Sequence, residues 1–214
     1  MFVLGIVGTP AGGKSTVAEH LQELGASWIN ADLIARGVLE EDEIQELLIG
    51  YFGPEITGSD GRIDRSILAS RVFGDDDAKR VALTYLEGLI HPRTRLIITT
   101  QLRALARQNV AVAILDVPLL FESGWDRFCD EIWCVDSERS LRLARAKRRG
   151  WDEAQLRLRE SSQIDIIEKK RLSNVVINNN GSLQELHETI DRLWSSFHGR
   201  QNELSPPRHC LEDE

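Results

Sequence analysis

The chain has 214 residues, 42% of them hydrophobic and 28% charged. That suffices for one sizeable core with small appended subdomains, and it excludes a disulfide-stapled miniprotein, a collagen-like fibre and a wholly disordered chain. The net charge of −8, from 34 acidic and 26 basic side chains, favours solubility and speaks against bulk nucleic-acid binding, while leaving room for a local basic pocket. The cysteines, Cys129, Cys134 and Cys210, are odd in number and fit no metal-ligand spacing. They read as reduced thiols of a cytoplasmic protein. The opening MFVLGIVGTPAGGKST has no basic segment before its apolar run, and that run soon ends in a glycine loop. It is not expected to be a secretory leader. No stretch approaches the ~20 apolar residues of a membrane span.

Short apolar strands alternate with longer amphipathic helices. Phe2 to Val7 is a buried strand, rich in β-branched residues. Lys14 to Leu24 reads as a helix with Val17, Leu21 and Leu24 on one face, and Ser27 to Asn30 as a second strand. A helix is expected over 33–38 and another from Glu41 to Tyr51, striped by Ile44, Leu47 and Leu48. The turn-rich GPEITGSDGRID follows, then a helix from Arg65 to Phe73. Asp77 to Arg107 is helical, interrupted or kinked at His91-Pro92. Val110 to Val117 and Glu131 to Val135 are further buried strands. Ser137 to Arg149 is a very basic helix and Asp152 to Gln163 another. Val175 to Asn178 is the last strand, and Ser182 caps a helix running to about Phe197. The tail from about Arg200 is polar, carries Pro-Pro and is expected to be disordered. This alternation predicts a doubly wound α/β fold with a parallel sheet.

The strongest chemical signal is Gly8-Thr9-Pro10-Ala11-Gly12-Gly13-Lys14-Ser15-Thr16. It satisfies G-x-x-x-x-G-K-[ST] between an apolar strand and an amphipathic helix, the context that identifies a phosphate-binding loop. Glycines let the backbone curl so that its N–H groups meet phosphate oxygens, and the following helix offers its positive end. Lys14 supplies a cation for the β- and γ-phosphates, and the Ser15 hydroxyl can ligate Mg²⁺.

Other positions are open to two readings. Asp32 follows the second strand; it either caps a helix or serves as a carboxylate beside the phosphate site, as proton acceptor or within the Mg²⁺ shell. Arg36, one turn on, is either solvated or part of that pocket. Asp116 ends an apolar strand in the manner of a metal-side Walker B carboxylate, or is a turn residue. The helix bearing Arg139, Arg142, Arg145, Lys147, Arg148 and Arg149 is a solvated face, a nucleic-acid patch or a lid over a triphosphate; Arg145 and Arg149 share one face. With a phosphate loop in the same chain, the lid is the better reading. His91 is either structural or part of a site. A guanine-reading N-K-x-D signature is missing, which counts against a GTPase-like switch.

In order along the chain, GTPAGGKSTVA, NADLIAR, DGRIDRSILASRVF, LEGLIHP, ILDVPLLFESG, the arginine helix, RESSQ and EKKRLSNVVINNNG span about residues 2–193. Together they resemble the dephospho-coenzyme A kinase family. NADLIAR, LIHP and DVPLLFE are far more specific than the phosphate loop. The resemblance implies a P-loop kinase-like three-layer α/β sandwich, with a core at about 1–32, 108–137 and 171–199. A helical CoA-binding region would span about 33–107 and a helical lid about 138–170. It implies ATP-dependent phosphorylation of the ribose 3′-hydroxyl of dephospho-CoA, with Mg²⁺ as cofactor. The enzyme would be a cytoplasmic monomer or weak homo-oligomer, with no nucleic-acid or membrane partner.

By the family pattern, Asp32 is the base, with Lys14 and Arg145 also catalytic. Gly8, Ala11, Gly12, Gly13, Lys14, Ser15, Thr16, Arg149 and Asn179 would hold ATP, with Asn179 near the adenine. Asp32, Arg36, Arg65 and His91 would hold the acceptor, and Ser15 and Asp116 the metal. The chain departs from the pattern in places. The family loop usually reads GGIGSGKST, where Thr9-Pro10-Ala11-Gly12 stands here. Asp-Ala-Asp is common where Asn30-Ala31-Asp32 stands, and an Ala-Asp pair becomes Ser173-Asn174.

Overall fold

Strand β1 (Phe2–Gly8) is buried along nearly its whole length. A strand this apolar on both faces belongs in the middle of a covered parallel sheet. The computed structural model, which describes residues 1–74 and 76–201 with side chains as far as Ser196, places it there. The sheet order is β2-β3-β1-β4-β5, with β2 (Ser27–Asn30), β3 (Val112–Asp116), β4 (Glu131–Asp136) and β5 (Val175–Asn178). Every pairing is parallel. Ile6 and Asn30 both sit opposite Asp116, Gly8 opposite Val135, and Asp136 opposite Asn178. All five carboxyl ends therefore share one edge, where open parallel sheets bind ligands.

Two helices cover one face, α1 (Lys14–Glu23) and α9 (Leu183–Gln201). Leu4, Ile6, Val17, Leu21, Trp133, Leu186 and Ile190 form the core between them and the sheet. The other face carries the segment after β3 and a short helix, α8 (Ile166–Leu172). Gly5 is needed there, because a Cβ would meet Cys129 Sγ at 2.8 Å. Asn174 braces the β4–β5 edge, its Oδ1 accepting from Ile132 N–H at 2.8 Å. The Ser173-Asn174 pair thus serves the sheet with a neutral side chain. Ser182 caps α9 as expected, and Glu185 completes a capping box: the Ser182 N–H donates to Glu185 Oε2 at 2.6 Å and the Glu185 N–H to Ser182 Oγ at 3.2 Å.

The chain folds as two compact units, one of residues 1–30 with 102 onward, the other of residues 31–101. The second unit is helical: α2 (Ala31–Val38), α3 (Asp42–Phe52), α4 (Arg65–Val72) and most of α5 (Asp77–Arg107). Val38, Leu48, Ile56, Leu68, Val72 and Ile90 make its core. Buried Gln45 braces it, donating to Leu39 O at 2.5 Å and accepting from Ile63 N–H at 3.0 Å. The segment expected to form a lid, about 138–170, lies in the first unit and holds α6 (Arg139–Arg148), α7 (Glu153–Ser161), opened by an Asp152–Gln155 capping box, and most of α8. The expected disordered tail begins within α9, which continues through Gln201; its remainder lies outside the described residues.

Three expectations need correction. Helix α2 begins at Ala31, directly after β2, so Asp32 lies in its first turn and does not cap it. Helix α8 has no counterpart in the hydrophobic pattern, because its run IIEKKRL is too short and too charged to show a period. Helix α5 is not interrupted at His91-Pro92; Pro92 sits inside it. Buried Ile90, Ile98 and Leu102 hold the helix on both sides, which offsets the missing N–H. Pro92 itself is exposed and packs little. Pro92→Ala is therefore expected to raise stability by about 2 kcal/mol, the ~3 kcal/mol proline penalty less the ~1 kcal/mol of lost chain stiffness. A urea midpoint equal to or below that of the wild type would show that the helix does not bear this cost.

Candidate functional site

The loop between β1 and α1 is shaped by contacts that only small residues permit. A Cβ on Gly8 would stand 2.2 Å from Val135 O, and one on Gly13 2.1 Å from Asn179 Nδ2. Gly13 also has φ 107, a left-handed conformation. Ala11 holds φ 59 despite its methyl group, and is buried against Ala146 and Leu156. Gly12 N–H donates to Thr9 O at 2.9 Å, closing a turn. Pro10 contributes no N–H.

The loop carbonyls are tied from outside. Gly12 O accepts from Asn179 Nδ2 at 2.9 Å, Ser137 Oγ at 2.9 Å and Arg145 Nη1 at 3.3 Å. Gly8 O accepts from Lys169 Nζ at 3.1 Å. Every peptide among the described residues is trans, so each tied carbonyl turns the next N–H to the opposite side. The Thr9 and Gly13 amides are thereby directed away from these anchors. At the start of α1, Lys14 has no ion-pair or hydrogen-bond partner among the described residues. Its ammonium is uncommitted at the positive end of a helix, as an anion site requires.

The arginine helix sorts its side chains by neighbour. Arg139 pairs with Glu153 at 3.0 Å, and Arg142 with Glu160. These two are committed to holding α6 on α7. Arg145 instead reaches the loop, donating to Ser137 Oγ at 2.7 Å and Asn179 O at 3.0 Å. Burial first, then the neighbouring Arg149 and Arg148 charges, hold its pKa below the ordinary arginine value. Arg149 lies 5.8 Å from the Trp151 ring and Arg159 4.1 Å.

A pocket of about 320 Å³ opens beside the loop, lined by Gly13, Thr16, Arg145, Arg149 and Asn179. The structure thus brings together four of the expected ATP-binding residues, Gly13, Thr16, Arg149 and Asn179, with Arg145, which was expected to be catalytic. It adds Leu183 and Leu186, which the sequence did not single out, and Arg148, which the sequence marked only as part of the basic helix. Asn179 is buried and spends its amide on Gly12 O. Ser137 and Lys169 are the other residues missed. Ser137 looked like part of a helix start, and Lys169 like one member of a charged run. No local signal marks either.

Asp116 is buried at the end of β3, and Ser15 stands in the first turn of α1. Both offer oxygen donors, which suit a hard divalent cation. Among the described residues no cluster of three or more His, Cys, Asp or Glu would hold a metal alone. A cation here would draw most of its ligands from phosphate oxygens and water, and the two side chains fit that mode.

The second unit carries the remaining candidates. Asp32 and Arg36 are exposed on α2, and neither has a hydrogen-bond or ion-pair partner among the described residues. Arg65 opens α4 beside the capping Asp64 and pairs with Glu40 at 2.7 Å. Both members are about half exposed, and such a pair is worth at most about 1 kcal/mol, so an anion can displace it. His91 is exposed on α5. No helix among the described residues is long and apolar enough to cross a membrane. Cys129 and Cys134 are free, and burial first, then the nearby Asp126 and Asp130, push the Cys129 thiol up to about 12.

Known proteins match this arrangement along most of the chain. The family model described as "CoaE: Dephospho-CoA kinase" matches residues 2–185. A dephospho-CoA kinase of Rhodopirellula baltica is 40% identical over 196 residues, covering 91% of this chain and 90% of that protein. One of Fusobacterium nucleatum is 36% identical, covering 92% and 99%. Among solved structures, TT1252 from Thermus thermophilus superposes with a TM-score of 0.74 at 31% identity, covering 91% of this chain and 97% of that one. Dephospho-CoA kinase from Campylobacter jejuni gives 0.64 at 28%, covering 91% and 96%. With a P-loop after the first strand of a five-stranded parallel sheet and a match from residue 2 to residue 185, the chain belongs to the dephospho-CoA kinase family.

Proposed function

We propose that the protein transfers the γ-phosphoryl group of ATP to the ribose 3′-hydroxyl of dephospho-CoA, giving coenzyme A and ADP, the last step of coenzyme A synthesis. The observation that carries this reading is family membership across nearly the whole chain, with an uncommitted Lys14 at the head of α1. The divalent cation is Mg²⁺, held by Ser15 and Asp116 together with phosphate oxygens. When bound, it neutralises charge on the β- and γ-phosphates.

The loop amides and Lys14 bind the polyphosphate. Arg145 and Arg149 face the same pocket and counter the charge that develops on the transferred group. Asn179 holds Gly12 and so keeps the loop in shape. Asp32 accepts the proton of the attacking hydroxyl; its carboxylate oxygens are not spent on other residues described. Arg36, Arg65 and His91 serve the acceptor, whose diphosphate needs cations and whose hydroxyl must be oriented. The proposed parts are a core at about 1–32, 108–137 and 171–199, a CoA-binding region at about 33–107 and a lid at about 138–170. Free thiols and the lack of an apolar spanning helix among the described residues support a cytoplasmic enzyme. The acidic overall charge supports one without nucleic-acid partners.

The direct test is incubation with Mg·ATP and dephospho-CoA, with nucleoside monophosphates and shikimate as competing acceptors. Coenzyme A is expected by mass from dephospho-CoA alone; phosphorylation of another acceptor instead would assign a different small-molecule kinase. Lys14→Ala is expected to lower kcat/KM for ATP by about a hundredfold or more, since it removes charge stabilisation in the transition state. Unaltered kinetics would take Lys14 out of the mechanism. Asp32→Asn is expected to lower kcat by roughly a hundredfold to ten-thousandfold, the range of general-base loss, with ATP affinity kept. Isothermal titration beside steady-state rates separates the two effects, and a kcat within twofold of wild type refutes the assignment.

A further inference from the structure

Lys169 is the most unusual charge in the chain. Its side chain is 2% exposed, on a helix that the sequence pattern does not announce. No carboxylate stands within ion-pair distance of it among the described residues. Its Nζ donates to two neutral acceptors, Gly8 O at 3.1 Å and Gln163 Oε1. Burying an ammonium without a paired carboxylate is costly. Burial depresses the Lys169 pKa, the nearby Glu122 opposes that, and the positive charge of Lys14 adds to it. Lys14 and Lys169 thus repel each other across the loop, and one of them is desolvated. An apolar chain of the same length would fill this space at lower cost.

The cost is recovered when a polyanion arrives. Lys169 bonds the carbonyl of Gly8, the first residue of the phosphate loop, and so sets the plane of the Gly8–Thr9 peptide. Because that peptide is trans, the Thr9 N–H points away from Lys169. Thr9 is itself 6% exposed, and its Oγ1 has no hydrogen-bond partner among the described residues. Thr9, Gln163 and Lys169 line one small pocket of about 170 Å³ behind the loop.

We propose that Lys169 is a positioning residue for the phosphate loop: from α8, steadied by Gln163, it fixes the Gly8–Thr9 peptide and adds a second positive charge behind Lys14. It is retained for nucleotide binding and works against the stability of the empty protein. Gln163 and Lys169 bracket the segment that enters α8, so the loop's readiness for ATP depends on how that segment is seated. This inference rests on the kinase reading of the same loop. Wild-type turnover tests that reading; the comparison of variants with wild type tests this one.

The experiment compares Lys169→Met, Lys169→Arg and Gln163→Leu with wild type. Each is melted alone and with saturating Mg·ADP, and kcat and both KM values are measured. Lys169→Met is expected to melt, empty, at or above the wild-type temperature, yet to show a smaller shift with Mg·ADP. Its KM for ATP should rise by about tenfold to a hundredfold, the range for loss of a charged hydrogen bond, with KM for the acceptor within about twofold. Lys169→Arg should recover most of that loss, because it keeps charge and donors. Gln163→Leu should raise KM for ATP by a smaller factor, and it carries the test should Lys169→Met not fold. The proposal is overturned if the Met variant binds nucleotide like wild type, or if Arg rescues no better than Met. It is equally overturned if the empty Met variant loses stability while both KM values rise together, or if Gln163→Leu leaves KM for ATP unchanged.

Discussion

A peptide unit is planar, so whatever grips its carbonyl also aims its N–H. The phosphate loop depends on this constraint. Its amides face a ligand only if its carbonyls are held elsewhere, and in this chain they are held by side chains remote in sequence. Gly12 O is gripped by Asn179, Ser137 and Arg145, and Gly8 O by Lys169. The G-x-x-x-x-G-K-S pattern supplies a backbone able to curl. The anchors, 125 to 167 residues away along the chain, supply the direction. The sheet makes this possible: Gly8 sits opposite Val135 and Asp136 opposite Asn178, so Ser137 and Asn179 emerge from strand ends beside the loop.

The same geometry explains what the sequence could and could not reveal. Most sheet strands were legible because they are short, nearly continuous apolar runs, β2 because Trp28-Ile29 stands between turn and helix signals, and the phosphate loop because its residues are adjacent in the chain. Asp32 and Asp116 were legible as candidates because both lie at strand ends, Asp116 closing β3 and Asp32 just after β2. Ser137, Lys169 and the anchoring use of Asn179 were hidden, since a residue that acts on a distant carbonyl leaves no local spacing. Helix α8 escaped for a related reason. Seven residues with one buried lysine carry no amphipathic period, and tertiary contact with β1 and β4 holds them helical. At Pro92 the local rule was sound but outweighed, because apolar anchors on both sides of α5 hold the helix against one lost hydrogen bond.

Charge in this acidic chain is sorted by the groups around it. On α6, Arg139 and Arg142 are matched by α7 carboxylates, so their energy goes into seating two helices together. Arg145 meets only neutral oxygens, and Arg149 meets an indole face. Neither ring nor carbonyl cancels a full positive charge. In the proposed kinase, what neutralises these arginines, and Lys14 and Lys169 with them, is the bound nucleotide. A carboxylate beside any of the four would make the empty protein more stable and the bound state weaker, because phosphate would then displace a partner before binding. The stretch from Arg139 to Arg149 thus divides into arginines paired with α7 carboxylates and arginines without a carboxylate partner among the described residues. Composition and periodicity cannot make that division, since all of these arginines look alike until the neighbouring helices and strand ends are in place.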